Sequence, residues 1–382
     1  LMILTNIIQQ LNRLKNLFPQ FFSSDSNMMI LSKIKEVISE LRIFNNTITE
    51  IGKTSNLTGK QLKALENSAF QAANKYGKSA NDYLTGILDM YHAGFNNAEQ
   101  MSELSILAQS IGSIDKATAH AYLIASNNAY HLKGNIEELS KILDGQNNIA
   151  EHTSISMMNI AQATAESAAA ASQAGIKLNE LSALIAILGS NIQTSGTEIG
   201  NHLASLFTNL QNNSTNTSLQ KTFQDLNISI TEIVNGSENL KTPIQLLKEL
   251  AETFQMLAID DPRRTDILSN LGGSSSDTLT TILNNWASYE KMLTLYSTGL
   301  GSASKKAEES ANHLENSFQR LSNTWTNITK NIANSDTITF VINTMNHLLG
   351  LINNITNCLG TLGTVGFSAA IAGISKFVKN FA

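Results

Sequence analysis

Apolar residues recur at intervals of three, four and seven along most of the chain, the spacing of one face of an α-helix. Between residues 30 and 51 the stripe is Ile30, Ile34, Val37, Ile38, Leu41 and Ile48, with Ser32, Lys33, Lys35, Glu36, Ser39 and Glu40 between them. It lasts about three heptads, which suits a coiled-coil seam and an ordinary packed helix equally well. From residue 58 the helices shorten and carry explicit end signals. TGKQLKALENSAFQAANKYGKS predicts a helix over 59–76 closed by Gly77. ANDYLTGILDMYHAGF, NAEQMSELSILAQSIG and SIDKATAHAYLIASNNAYH predict three more, the last starting near Ser113 and Asp115. GNIEELSKILDG predicts another, capped by Asn135, with Glu137 and Glu138 in its first turn and Gly145 at its stop. Helices of this length with tight connections imply a compact bundle rather than one rod.

Three further helices are predicted between residues 150 and 212. HTSISMMNIAQATAESAAAASQAG is rich in Ala and Ser and ends at Gly175. IKLNELSALIAILGSNIQ buries Leu181, Leu184, Ile185 and Leu188, and TSGTEIGNHLASLFTNLQ starts near Gly196. Gly196 and Gly200 form a G-x-x-x-G spacing that would suggest dimerisation in a membrane. With Glu198 and Asn201 beside them, tight packing at a helix start is the preferred account. The rhythm breaks at LNISITEIVNGSENL, where Leu226, Ile228 and Ile230 alternate ahead of the turn dipeptide Asn235-Gly236, predicting a short β-hairpin near 226–240. Helices resume at Thr242-Pro243 and at Asp261-Pro262, where proline suits the first helical position. DTLTTILNNWASYEKMLTLYS reads as one amphipathic helix carrying Trp286, Tyr289 and Tyr296, and a longer one follows over 305–333.

The expected fold class is therefore mainly all-α, a multi-helix bundle with a long N-terminal helix, a short hairpin and an apolar C-terminal helical region. Four segments are expected: 1–57 helical and coiled-coil-like, 58–222 the helical core, 223–335 its continuation with the hairpin, and 336–382 uncharged and apolar. The abrupt ends of the chain suggest a window cut from a longer polypeptide.

Composition sharpens this picture. Of 382 residues only 15% are charged and 42% are hydrophobic, and there are three prolines. Average soluble proteins carry about 25% charged residues. Here Asn, Ser, Thr and Ala occupy positions where helices usually expose Lys and Glu, so the surface suits a partner or an enclosed space. The net charge of −5 divides into +5 over residues 1–78 and −10 over the rest. No dense basic run accompanies it, so no specific nucleic-acid binding is expected. The single Cys358 excludes an intrachain disulfide and a multi-cysteine zinc site. Residues 337–375 contain no Asp, Glu, Lys or Arg, and 358–374 approach the length needed to cross a bilayer. Asparagines in 343–357 favour a helix docked on other helices or on membrane over one that spans it.

Site chemistry is sparse. The seven histidines (His92, His120, His131, His152, His202, His313 and His347) show no metal-ligand spacing. The pairs Glu137/Glu138, Asp260/Asp261 and Glu308/Glu309 sit at helix starts or on polar faces, where the helix dipole and solvent account for them. No nucleophile elbow or phosphate loop is present. The expectation is a non-enzymatic protein with no cofactor and no metal.

The stretch Ala168–Leu210, AAAASQAGIKLNELSALIAILGSNIQTSGTEIGNHLASLFTNL, resembles the core region of phage tail tape measure proteins. That family has an Ala-rich helix, an AG(I/V)xxxEL block, a short Leu/Ile/Ala helix and an SGxEIGNxL block, in this order. The matching positions are Gly175, Glu180 and Leu181, then Ser195, Gly196, Glu198, Ile199, Gly200, Asn201 and Leu203. NKYGKSANDYLTGILDMYHAG upstream and TPIQLLKELAETF downstream extend the likeness. The resemblance implies a structural role: copies of the chain associating in the tail lumen, contacts with tail tube and assembly proteins, and a length that sets the length of the tail. It further implies exit ahead of the DNA and engagement of the host membrane during infection. A membrane-active or pore-forming helical protein unrelated to tails is the alternative, resting on the uncharged 337–375 block.

Overall fold

The computed structural model describes residues 43–211 and 216–311, together with 323 and 327. The stripe before residue 43, the larger part of the predicted 305–333 helix and the uncharged 337–375 block lie outside the described residues. What is described is helical apart from one two-stranded antiparallel sheet, so the mainly all-α expectation holds. Contacts divide the chain into two compact units, one of Leu1–Ile106 with Ala307–Ala382, the other of Leu107–Lys306.

In the first unit, α1 (residues 43–54), α2 (Gly59–Tyr76), α3 (Ala80–His92) and the start of α4 (Ala98–Ile111) build a small core. Helix α2 starts on a capping box: Thr58 Oγ1 accepts from the Gln61 N–H while Gln61 Oε1 accepts from the Thr58 N–H. It stops at Gly77, in the left-handed region at φ +66, as the sequence predicts. Phe44 and Phe70 stack with centroids 4.9 Å apart, over buried Ile51, Leu65 and Ala69. Asn323 clamps the α2–α3 corner, donating to the Lys78 carbonyl and accepting from the Ala80 N–H.

The second unit contains α5 (Lys116–Ala129), α6 (Ile136–His152), α7 (Met157–Gln173), α8 (Leu178–Asn191), α9 (Gly196–Gln211) and α10 (Thr217–Asp225). The hairpin β1 (Thr231–Val234) and β2 (Ser237–Leu240) follows, then α11 (Pro243–Met256), α12 (Pro262–Ile267), α13 (Ser276–Asn284), α14 (Tyr289–Ser297) and the start of α15 (Ser302–Ala311). Its centre is α8, where all eight residues from Leu181 to Leu188 are buried. A helix apolar on every side must be enclosed on every side, and α6, α7, α9, α13 and α14 all pack on it. Each fully buried Leu or Ile contributes about 1.5–3 kcal/mol.

Four details depart from the sequence expectation. Gly145 does not end α6, which runs on to His152 because Leu143 and Ile149 continue the buried face. Its missing side chain instead admits the Tyr296 ring, whose carbons would lie 2.8–2.9 Å from a Cβ at that position. The 277–297 stretch is not one helix: α13 closes at Asn285, a 3-10 turn (Trp286–Ser288) intervenes, and α14 begins at Tyr289. Trp286, half-buried on that turn, stacks on Tyr289 at 4.6 Å. Leu226 and Ile228 precede the strands instead of joining them. They close α10, with Asn227 at φ +56 and the Ile228 N–H donating to the Phe223 carbonyl. Finally, α7 starts at Met157 on its Ser156 cap, after bends over 153–155.

Candidate functional site

The residues singled out by sequence lie on α7, α8, α9 and the two connections between them. Helix α7 ends in a Schellman arrangement: the Ile176 N–H donates to the Ala171 carbonyl at 2.9 Å and the Gly175 N–H to the Ser172 carbonyl at 3.0 Å. This requires φ +75 at Gly175, which glycine reaches without the steric penalty of a Cβ. The turn is tied to α5, since Tyr130 Oη donates to the Ile176 carbonyl and Ser172 Oγ to the Ala129 carbonyl. Two residues on, the Lys177 N–H donates to Glu180 Oε2 at 2.8 Å, so Glu180 caps the start of α8 and Leu181 begins its buried run.

Helix α9 opens on a reciprocal cap. The Glu198 N–H donates to Ser195 Oγ at 3.2 Å, and the Ser195 N–H donates back to Glu198 Oε2 at 3.3 Å. The Thr194 hydroxyl also donates to Glu198. These hydrogen bonds, that of Thr194 first, hold the exposed Glu198 carboxyl below its ordinary range. The first two turns of α9 then present Gly196, Ile199, Gly200 and Leu203 inward, all buried, while Asn201 is exposed.

The two glycines meet the backbone of α7. A Cβ on Gly196 would stand 2.2 Å from the Asn159 carbonyl oxygen, and one on Gly200 2.7 Å from that of Ala163. The G-x-x-x-G spacing therefore marks close approach of two helices within this bundle. Ala161, Ala163, Ala168 and Ala171, all buried, supply the small residues on the facing helix.

Two polar features went unnoticed in the sequence. Gln146, fully buried on α6, donates from Nε2 to Thr164 Oγ1 on α7 (3.1 Å) and to Ser182 Oγ on α8 (2.9 Å), joining three helices at one point. Asp144, 5% exposed, accepts the Gly301 N–H at 2.8 Å and the Ala303 N–H at 3.0 Å, capping the first turn of α15. Its carbonyl accepts from Ser302 Oγ at 2.7 Å. Gly299 permits this approach, because a Cβ there would lie 2.6 Å from that same carbonyl oxygen. The available signal was position: both residues sit one turn or less from Leu143, on the buried face of α6.

Glu137 and Glu138 both reach Lys141, at 2.8 and 3.0 Å, and Asp261 caps α12 while pairing with Arg263 at 2.7 Å. Among the described residues no group of three His, Cys, Asp or Glu gathers as a metal site.

Compared with known proteins, the chain matches the phage-related minor tail protein family over residues 66–273, more than half of its length. The chain belongs to the phage-related minor tail protein family. The matched span runs from within α2 to the glycines after α12, so it contains all ten residues of the α7–α9 pattern as well as Asp144 and Gln146. The partners of Asp144 at residues 301–303 fall beyond it. No solved structure matches the chain. No helix among the described residues is long and apolar enough to cross a membrane.

Proposed function

We propose that this minor tail protein is the folded core of a tape measure protein, acting in tail assembly and in setting tail length. The observation that carries the proposal is the order of blocks from Ala168 to Leu210, an Ala-rich helix, AGIKLNEL, a buried helix and SGTEIGNHL, inside the family match. The role is structural and not catalytic. Its partners are other copies of the same chain and the tail tube and assembly proteins, and its place is the tail lumen. A weakly charged surface, with 15% charged residues in the whole chain, suits an enclosed, crowded setting.

The bundle as folded is not itself the ruler. A continuous helix rises about 1.5 Å per residue, so 382 residues could reach roughly 570 Å, but a bundle turning back at every cap spans far less. The length function then belongs to sequence beyond the bundle, or to an extended state of it. In-frame deletions and duplications in the parent gene, read as tail length by electron microscopy, test this. Tails that change in proportion to the coded length support the proposal, and tails of unchanged length overturn it. Passage of DNA across a host membrane would draw on the uncharged 337–375 block, outside the described residues. Liposome leakage by the full chain, compared with a chain ending at residue 336, tests that part separately.

A further inference from the structure

The hairpin leaves one strand edge open. All four residues of β2 are exposed, whereas Thr231 and Glu232 of β1 are half-buried against the body. The strands pair Thr231 with Leu240, Glu232 with Asn239, Ile233 with Glu238 and Val234 with Ser237, around a turn with Asn235 at φ +52 and Gly236 at φ +80. In an antiparallel ladder, hydrogen-bonded and non-bonded pairs alternate. The Lys241 N–H donates to the Ile230 carbonyl at 2.9 Å, which makes 230/241 a bonded pair and sets the phase. Asn239 and Ser237 therefore bond inward to β1, and the backbone N–H and C=O groups of Glu238 and Leu240 point out of the sheet. β2 carries no lysine, proline or bulge, and the edge is guarded only by its shortness and by the one charge of Glu238.

We propose that β2 pairs with β2 of a second copy of this chain, antiparallel and two-fold about Asn239, giving a four-stranded sheet. In that register Glu238 and Leu240 of one copy each exchange bonds with Leu240 and Glu238 of the other, so all four outward residues are satisfied. No like charges face each other directly, because each Glu238 lies opposite a leucine. On the outward face the two Leu240 side chains, each 59% exposed, become diagonal neighbours across the new strand pair. The hairpin is held to α11 through Gln245 Nε2 on Glu232 of β1 (2.9 Å) and Lys241, just after β2, on Glu249 (2.6 Å), so one face of the hairpin is tied to the body while the β2 edge stays open.

Two four-residue edges cover well under the roughly 1,200 Å² of a stable interface. The contact is accordingly weak in dilute solution and forms where copies are held side by side. It specifies the copy-to-copy association proposed above and rests on that reading only for how copies are brought together.

The test is disulfide trapping of the full chain at high concentration, with Cys358→Ser removing the native thiol. Residues 239 face each other as a non-bonded pair about 4.5 Å apart, within disulfide reach. Asn239→Cys is expected to give a covalent dimer on mild oxidation. Ser237→Cys is expected to give none, since those positions lie about 14 Å apart. Adding Glu238→Pro removes one outward N–H while leaving the inner ladder bonds, and it is expected to abolish trapping with the helical circular dichroism unchanged. The proposal is overturned if Asn239→Cys stays monomeric, if Ser237→Cys traps equally, or if trapping survives Glu238→Pro. Such a failure would not touch the tail-length test, and unchanged tail length would not touch this one.

Discussion

Replacing Gly200 by alanine sets two effects of opposite sign against each other. Inside an exposed helix the change would stabilise by about 1 kcal/mol, because glycine loses more backbone freedom on folding. Here the new Cβ would stand 2.7 Å from the Ala163 carbonyl oxygen, 3.0 Å from the Ala163 Cα and 2.6 Å from Glu166 Cβ. Two of those three atoms are backbone of a neighbouring helix, so relief requires α7 and α9 to separate. Overpacking of this kind costs about 1–3 kcal/mol. With a contact this close the clash wins, and a net loss of about 1–2 kcal/mol is expected for Gly200→Ala. Gly196→Ala should lose more, roughly 2–3 kcal/mol, because its Cβ would meet the Asn159 carbonyl oxygen at 2.2 Å and its position at the helix start gains less from propensity. Gly59, also at a helix start, has nothing within 4 Å of a built Cβ, so Gly59→Ala should be neutral or stabilising by up to about 1 kcal/mol. Urea titration followed by circular dichroism measures all three, with hydrogen exchange at α7 and α9 assigning the change to the second unit. If Gly200→Ala stabilises the chain as Gly59→Ala does, the close-approach account of the G-x-x-x-G spacing is wrong.

Three further outcomes follow from the site. Gln146→Ala should cost about 2–4 kcal/mol, combining a cavity with two lost hydrogen bonds, and Gln146→Met clearly less because it refills the volume; equal losses in a denaturant titration would dismiss the packing part. Asp144→Asn should cost about 1–2 kcal/mol by weakening one of two charge-assisted bonds. Its local signature is faster amide exchange at Gly301 and Ala303, and unchanged exchange there would contradict the capping role. Glu198, depressed below the ordinary 4.5 by Thr194 and Ser195, binds its proton more readily in the unfolded chain. Its contribution is therefore complete above the unfolded value and is lost as pH falls through the folded one. Titration of the Glu198 carboxyl by NMR should give a midpoint below that of an unfolded peptide, and Thr194→Val should raise it.

How much of this was legible in the sequence depends on where each signal resides. Caps are local: Thr58, Asn135, Thr242-Pro243 and Asp261-Pro262 each bond within one turn, so sequence places those helix starts correctly. The turn at Asn235-Gly236 is local too, since both residues adopt positive φ. Gly145 misled because a glycine can end a helix or admit a neighbour, and what decides is Tyr296, more than 150 residues away. Leu226 and Ile228 misled because alternation over so few residues also fits a Schellman turn tucked under α10. The Asp144 and Gln146 contacts were invisible for the same reason as Gly145: their partners at 301–303, 164 and 182 come together only when the bundle closes.

The small residues and the buried polar groups belong to one design. Where α7 carries Ala161, Ala163, Ala168 and Ala171 there is little side-chain volume to absorb a misfit, so the spacing of α7 and α9 is set by backbone meeting backbone at Gly196 and Gly200. A core of alanines is nonetheless permissive in rotation, because one alanine face resembles another. Thr164 answers that, since Gln146 can reach it and Ser182 together only when α6, α7 and α8 are in one register. Removing the glycines should therefore cost stability with the register kept, whereas removing Gln146 should loosen the register itself. Side-chain NMR dispersion in α7 and α8 separates the two: it should persist in Gly200→Ala and collapse in Gln146→Ala at matched stability.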